Sequence, residues 1–390
     1  MRMERDYEAY FDDYNCLKVY MSKNFFNGSS RIFHLKDSCD RIIHLNIDHK
    51  QDLLNGYTKY VLSLKEPLIM GEEYVVYDEH CQKTICQYSH IVKTIRFNQE
   101  YEVKDIDLGC FYTKECTVFR LWSPVAYQIL LRLDDHGQKS TIEMERKEKG
   151  IFETTVSKDL LNAHYTFMVR ANGTWKETVD PYNSFCGPNT QYSVVQSIEN
   201  VKLPKKVKVP LMRSNTDAII YEASIRDMTS EPGIGVKHPR KFKGFTEENI
   251  TTKSMSTGFS YIRSLGVSHI QLLPVFDFGS VDEVYTDIFY NWGYDPVHHR
   301  ALEGSYSTDC ADATKRIEEL AHLVQDCHQA GLKVNLDLVF NHVYTKEKYP
   351  LEILVPNYYF LMDTEGEFSN GSFCGNDIDT CGFNRACNHL

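Results

Sequence analysis

Three short apolar runs, residues 217–221 (DAIIY), 269–273 (HIQLL) and 333–340 (KVNLDLVF), are separated by stretches long enough to hold helices. This alternation constrains the fold more than any other feature of the chain. Strand, helix, strand, helix, strand implies βαβ units and a parallel sheet, with right-handed crossovers. The first intervening helix is expected over 257–265, ending at Gly266, a residue that tolerates the left-handed conformation past a helix end. The second is expected over 312–330. Its apolar residues Ile317, Leu320, Ala321, Val324 and Cys327 recur at helical spacing, and Gly331 closes it. The loop from 275 to about 311 is long for a compact domain, which suits a functional loop. It carries Tyr290, Trp292 and Tyr294.

Upstream the period is two. Residues 60–64, 74–77 and 84–97 read as strands of a small all-β domain over residues 1–105. Runs at 116–124, 127–133, 140–144, 151–156, 165–170 and 175–179, punctuated by Gly and Asn-Gly, suggest a β-sandwich over 106–200. The stretch 201–210 (VKLPKKVKVP) is a poor core former and reads as a linker to a third unit, 211–390.

With 42% hydrophobic residues, wholesale disorder is excluded. The formal net charge of -11 argues against nucleic acid as a partner and suits a neutral ligand. There is no run of about 18 apolar residues, so no membrane span is expected. The charged first residues, MRMERDYEAYFDDYN, lack an apolar stretch, which leads to the expectation of a cytoplasmic chain with its 12 Cys reduced. Nothing in the sequence bears on oligomeric state.

Alternation along 333–340 puts Val334, Leu336, Leu338 and Phe340 on one face and Asn335, Asp337 and Val339 on the other. A carboxylate on a strand buried on both faces is costly unless paired. Asp337 therefore reads either as a structural partner for an arginine or as an active-site carboxylate at the C-terminal end of a barrel strand. His342 follows just beyond it. Tyr294 offers an apolar ring with a polar handle, and Trp292 either packs the loop or lines a cleft.

The segment 290–296, YNWGYDP, resembles the heptapeptide shared by type I pullulanases, and 337–343, DLVFNHV, is similar to the first of four short regions of the α-amylase superfamily. The segments 221–227 (YEASIRD) and 269–276 (HIQLLPVF) resemble the first and second barrel strands of the same enzymes. Upstream, FRLWSP (119–124) and VDPY (179–182) resemble the immunoglobulin-like, starch-associated module that precedes their barrel. The resemblance implies N-terminal all-β domains, one an immunoglobulin-like β-sandwich, followed by a partial (β/α)8 TIM barrel with strands one to three. It implies hydrolysis of α-1,6 branch points in pullulan, glycogen or limit dextrins by a retaining mechanism, with an α-glucan polysaccharide or oligosaccharide as partner. Within the site it implies that Tyr294 stacks on the sugar, His342 hydrogen-bonds it, and Asp337 orients an Arg and an Asp from strand four, with Trp292 as a further contact. No cofactor is implied. Asn341 sits where many α-amylases hold calcium, yet the pullulanase counterpart need not, and no metal is assigned.

The family places its nucleophile in a G-F-R-F-D-like segment after strand four and its acid/base Glu after strand five. Neither is found in this sequence. Arg132-Leu133-Asp134 matches R-x-D but lies upstream, in a sandwich strand. A full barrel takes about 250 residues, more than remain here. The segment 370–377 (NGSFCGND) keeps the family's G-N-D, whereas 381–390 (CGFNRACNHL) departs from it. The sequence-based expectation is a truncated, inactive form, with no catalytic residue present; the alternatives are a non-catalytic α-glucan-binding protein and a pseudogene product. Cys374, Cys381, Cys387 and His389 match no structural zinc spacing. Three open-edged strands would also make 215–390 aggregation-prone alone, and 1–205 soluble.

Overall fold

The structure, a computed structural model, describes residues 7–380 except 105, 210, 249–250, 253–254 and 364–365. Cys381, Cys387 and His389 lie outside the described residues. The N-terminal strands close into a barrel in the order Tyr7–Asp13, Cys16–Ser22, Tyr57–Ser63, Ile42–Asp52, Phe33–Lys36, Val75–Asp78, Lys83–Tyr88. The first and last strands close it in parallel, with Ala9 opposite Cys86. Inward residues alternate as the period required, with Ala9, Phe11, Leu17, Val19 and Leu62 fully buried.

The stretch 84–97 is not one strand. The strand ends at Tyr88, and a helix, Ile95–Tyr101, follows. Thr94 explains the break: its Oγ1 accepts from the Phe97 N–H at 3.2 Å, which caps the helix and turns Phe97 into the core.

The sandwich faces one sheet, built on Gln138–Glu143, Gln128–Asp135, His164–Ala171 and Thr174–Thr178, against a second of Glu145–Arg146, Ile151–Val156, Thr117–Trp122 and Gly109–Tyr112. Phe119, Leu121, Leu131, Tyr165 and Phe167 are buried in it. Arg132 of the R-x-D match points outward and pairs with Glu177, Nη1 to Oε2 at 3.0 Å.

Beyond the linker, Ile220–Ala223, His269–Leu272 and Lys333–Leu336 form a parallel sheet with the middle strand central. Tyr221, Ile270 and Val334 share one register row. The helices Gly258–Ser264 and Lys315–Gln329 supply Ile262, Leu323 and Cys327 to its core. The first strand starts later than the apolar run because Ser214 and Asp217 form a capping box around the short turn Asn215–Asp217. The third strand stops at Leu336 rather than at 340. Among the described residues no strand pairs on its outer side, and Leu336, Leu338 and Phe340 are 39%, 41% and 44% exposed. The expected burial of both faces therefore fails at this edge. The long loop after residue 275 contains its own antiparallel pair, Phe276–Phe278 with Pro296–Leu302.

After His342 the chain turns back onto the N-terminal half. Val343, Tyr349, Leu351, Leu354, Tyr358 and Phe360 belong to the same buried cluster as Phe97 and Trp122. The Tyr358 ring lies 5.3 Å from Trp122 and 5.6 Å from Phe97, and its hydroxyl donates to Asn98 Oδ1 at 2.7 Å. This strap packs on apolar residues of the barrel and sandwich domains. Tyr358→Ala is expected to cost about 3–5 kcal/mol, the range for an aromatic truncated to Ala in a core. Guanidinium unfolding followed by near-UV circular dichroism measures it.

Candidate functional site

The loop after the middle strand and the segment after the third strand meet at the C-terminal end of the parallel sheet. Asp337 is still laddered to the middle strand, its N–H donating to Leu272 O at 3.0 Å. The Tyr294 hydroxyl donates to Asp337 Oδ2 at 2.7 Å. His342 Nε2 donates to the Tyr294 carbonyl at 2.7 Å, while its Nδ1 faces the Asn341 carboxamide at 3.0 Å. Tyr294, Asp337 and His342 thus form one connected set. His342 is buried and Tyr294 is 36% exposed, so the set offers one fixed imidazole and one accessible ring. Partial burial, with the Asp337 carboxylate next in weight, pushes the Tyr294 phenol up to about 12, so it stays a donor at neutral pH. Trp292 lies on the same loop and is 61% exposed.

Local chemistry explains why the loop holds this shape. Gly293 has φ of 98°, and an added Cβ would stand 2.8 Å from Pro274 O. Only glycine combines that conformation with that approach. Asn291 reaches three oxygens through Nδ2, those of Gly279 O, Ser280 Oγ and Asp295 Oδ2, at 3.0, 2.9 and 2.9 Å. From the first strand's end, Arg226 Nη1 donates to Thr286 O and Phe289 O at 3.0 and 2.8 Å, and Asp227 Oδ2 accepts from Tyr290 OH at 2.6 Å. Below Asp337, His299 Nε2 donates to Val339 O at 2.9 Å, and Tyr349 OH donates to His299 Nδ1 at 3.0 Å. Sequence reasoning missed Arg226, Asp227, Asn291 and His299. Arg226, Asp227 and Asn291 stood inside the segments 221–227 and 290–296, but the partners of Arg226 and Asp227 are distant in the chain. The hollow beside Asp337 and Gly293 holds only about 20 Å³, room for a water and not for a sugar ring.

Behind the loop lies a charged cluster that the sequence did not announce. Asp277, Glu283 and Glu303 are buried, with one carboxylate oxygen from each within 4.8 Å of the others. That donor set is compact enough for a cation. Arg316, fully buried, already brings positive charge there: its Nη2 lies 3.1 Å from Glu283 Oε2. Thr190 Oγ1 donates to Asp277 Oδ2, and Asn189 N to Glu283 Oε2 at 2.8 Å, which ties the sandwich to the loop. A cavity of about 200 Å³ lined by Asn189, Asp277, Glu283, Tyr344 and Lys348 opens beside it. Burial, reinforced by Glu283, pushes the Glu303 carboxyl up to about 7 and raises that of Asp277 as well.

Comparison with known proteins follows the same division of the chain. Residues 7–93 match the pullulanase N1-terminal domain, 107–183 carbohydrate-binding module 48 (isoamylase N-terminal domain), and 238–354 the α-amylase catalytic domain. The pullulanase of Bacillus subtilis (strain 168) is 36% identical over 379 residues, covering 96% of this chain and 52% of the relative. The crystal structure of pullulanase from Anoxybacillus sp. LM18-11 superposes with a TM-score of 0.91 at 36% identity, over 98% of this chain and 55% of that one. The same enzyme complexed with maltotriose gives 0.88 at 37% identity, over 96% and 54%. The chain spans about half the length of the relatives it matches.

The raised carboxyls set a pH dependence. A carboxyl whose pKa rises on folding binds more protons in the native state, so its contribution to stability falls as pH rises. For Glu303 that window runs from 4.5, its ordinary value, to about 7. The thermal midpoint is expected to fall across this range, and Glu303→Gln to flatten the fall, as read by calorimetry at stepped pH.

Proposed function

The chain belongs to the pullulanase family of glycoside hydrolases, and from that membership we propose that it engages α-glucan chains around α-1,6 branch points, with Tyr294, Asp337, His342 and Trp292 as contacts. The observation that carries this reading is the connected set in which one phenol, one carboxylate and one imidazole meet at the end of the parallel sheet. The exposed Tyr294 ring presents apolar area to a pyranose face, and His342 holds the backbone that carries it. Asp337 accepts one phenolic hydrogen bond and keeps capacity for a further donor. Pullulanase structures with maltotriose, maltotetraose and maltose are among its structural relatives, which supports a neutral α-linked oligosaccharide as ligand.

Retaining hydrolysis needs two carboxyl groups about 5–5.5 Å apart, one a nucleophile and one an acid/base. Asp337 is committed to Tyr294, and the sequence has no segment like the family's nucleophile motif. On this reading the 390 residues position a sugar and do not themselves cleave it. A non-catalytic α-glucan-binding protein is the second reading, favoured by the exposed Tyr294 and Trp292 rings without the catalytic pair.

Calorimetric titration with maltotetraose tests the contacts. Tyr294→Ala and His342→Ala are each expected to weaken binding about tenfold, or ~1.4 kcal/mol. Equal affinity in the wild type and both variants would remove the reading. Reducing ends released from pullulan by the purified chain, if lost in Asp337→Ala, would show that it carries its own catalytic group.

A further inference from the structure

His342 owes its place to a residue far along the chain. Asn376 is 3% exposed, and its carboxamide faces the backbone of Val343. Val343 N–H donates to Asn376 Oδ1 at 2.9 Å, and Asn376 Nδ2 donates to Val343 O at 2.8 Å. The side chain thus satisfies both backbone polar groups of one buried residue, as a neighbouring strand would. Two residues on, Ile378 N donates to Asn341 O at 2.9 Å. His342 is held between these two attachments.

The loop that carries Asn376 is itself stitched. Asp377 accepts from Ser369 Oγ, Gly371 N and Ser372 N at 2.6, 2.6 and 2.9 Å. Gly375 N donates to Asn370 Oδ1 at 2.6 Å. Asn376 is therefore a fixed post rather than a mobile contact. We propose that Asn376 is the positioning residue of the sugar-contact pair: it fixes Val343, and through it the His342 ring and the Tyr294 carbonyl that the ring holds.

The chemistry singles out asparagine. Aspartate keeps the acceptor for Val343 N–H but turns a carboxylate oxygen toward Val343 O, where a donor is required. Alanine leaves both backbone groups unpaired. Either change frees residues 341–343 to shift, and displacement of the imidazole on the scale of 1 Å is enough to uncouple it from Tyr294.

The proposal rests on the glucan reading for its ligand, and the test separates the two. The full chain is compared as wild type, Asn376→Asp, Asn376→Ala and His342→Ala. Long-range proton–nitrogen spectra report the His342 tautomer, assigned by the signal missing from His342→Ala, and titration with maltotetraose reports affinity. The Nε2–H signal of His342 is expected to shift or broaden in both Asn376 variants, with affinity lowered about tenfold by the lost preorganisation. Should the alanine variant fail to fold, the near-isosteric aspartate decides. An unchanged His342 spectrum in Asn376→Asp overturns the proposal, whatever the affinity. A shifted spectrum beside a His342→Ala protein that binds maltotetraose normally upholds the positioning and removes His342 from the glucan contacts.

Discussion

One enclosed ammonium group joins the N-terminal half to the site. Lys93, at the end of the barrel domain, donates to Tyr358 O at 2.6 Å, Phe360 O at 2.7 Å and Asp379 Oδ2 at 2.9 Å. An ammonium withdrawn from water costs several kcal/mol unless its donors are met, and here its three protons find three oxygens. Burial lowers its pKa, and the Asp379 carboxylate opposes that. Lys93 thereby pins both limbs of the strap. Between the limbs, Leu361 N donates to Asp377 O and Asp379 N to Tyr359 O, each at 2.8 Å. From there Asn376 and Ile378 lie against residues 341–343. A short hydrogen-bonded path runs from the first domain to the imidazole of His342, so the placement of the site residues is not the property of the parallel sheet alone.

The other side of the site is held independently. Arg226 and Asp227, past the first strand, grip the loop near Tyr290, and Asn291 ties its neck to Gly279 and Asp295. Tyr294 sits between these anchors and His342. Polar attachments suit this role because each is directional, whereas apolar contact tolerates sliding. The open edge shows the contrast. Leu336, Leu338 and Phe340 present apolar side chains with no strand beside them among the described residues, and regular ladder structure ends at Leu336.

The buried carboxylates serve the same junction. Thr190 and Asn189 come from the end of the sandwich, while Asp277, Glu283 and Glu303 come from the loop region. Three acids around one guanidinium leave an excess of negative charge in a buried place. Burial and the neighbouring Glu283 raise the pKa of Asp277 and Glu303, which favours their protonated forms. The sandwich is joined to the site loop through Asp277 and Glu283, while the barrel is joined to the strap through Lys93, whose partners are two carbonyls and one carboxylate.

Much of this molecule was legible in its residues. Period-two runs announced the β-rich N-terminal half, because alternation is the only pattern that buries one face of a strand. The apolar spacing of Ile317, Leu320, Val324 and Cys327 announced the long helix, and three apolar runs announced the parallel sheet. The segments 290–296 and 337–343 announced Tyr294, Asp337 and His342 together. Local capping was harder to see: Thr94 turned an expected strand into a helix through a single hydroxyl. Tertiary structure alone decided what holds the site. Lys93 lies more than 260 positions from its partners, Asn376 is 33 from Val343, and Asn189 is 94 from Glu283. Periodicity encodes which face of an element is buried, a short-range property read within a turn or a pleat. Which oxygen meets which ammonium depends on how whole elements pack, and no local pattern in the chain carries that information.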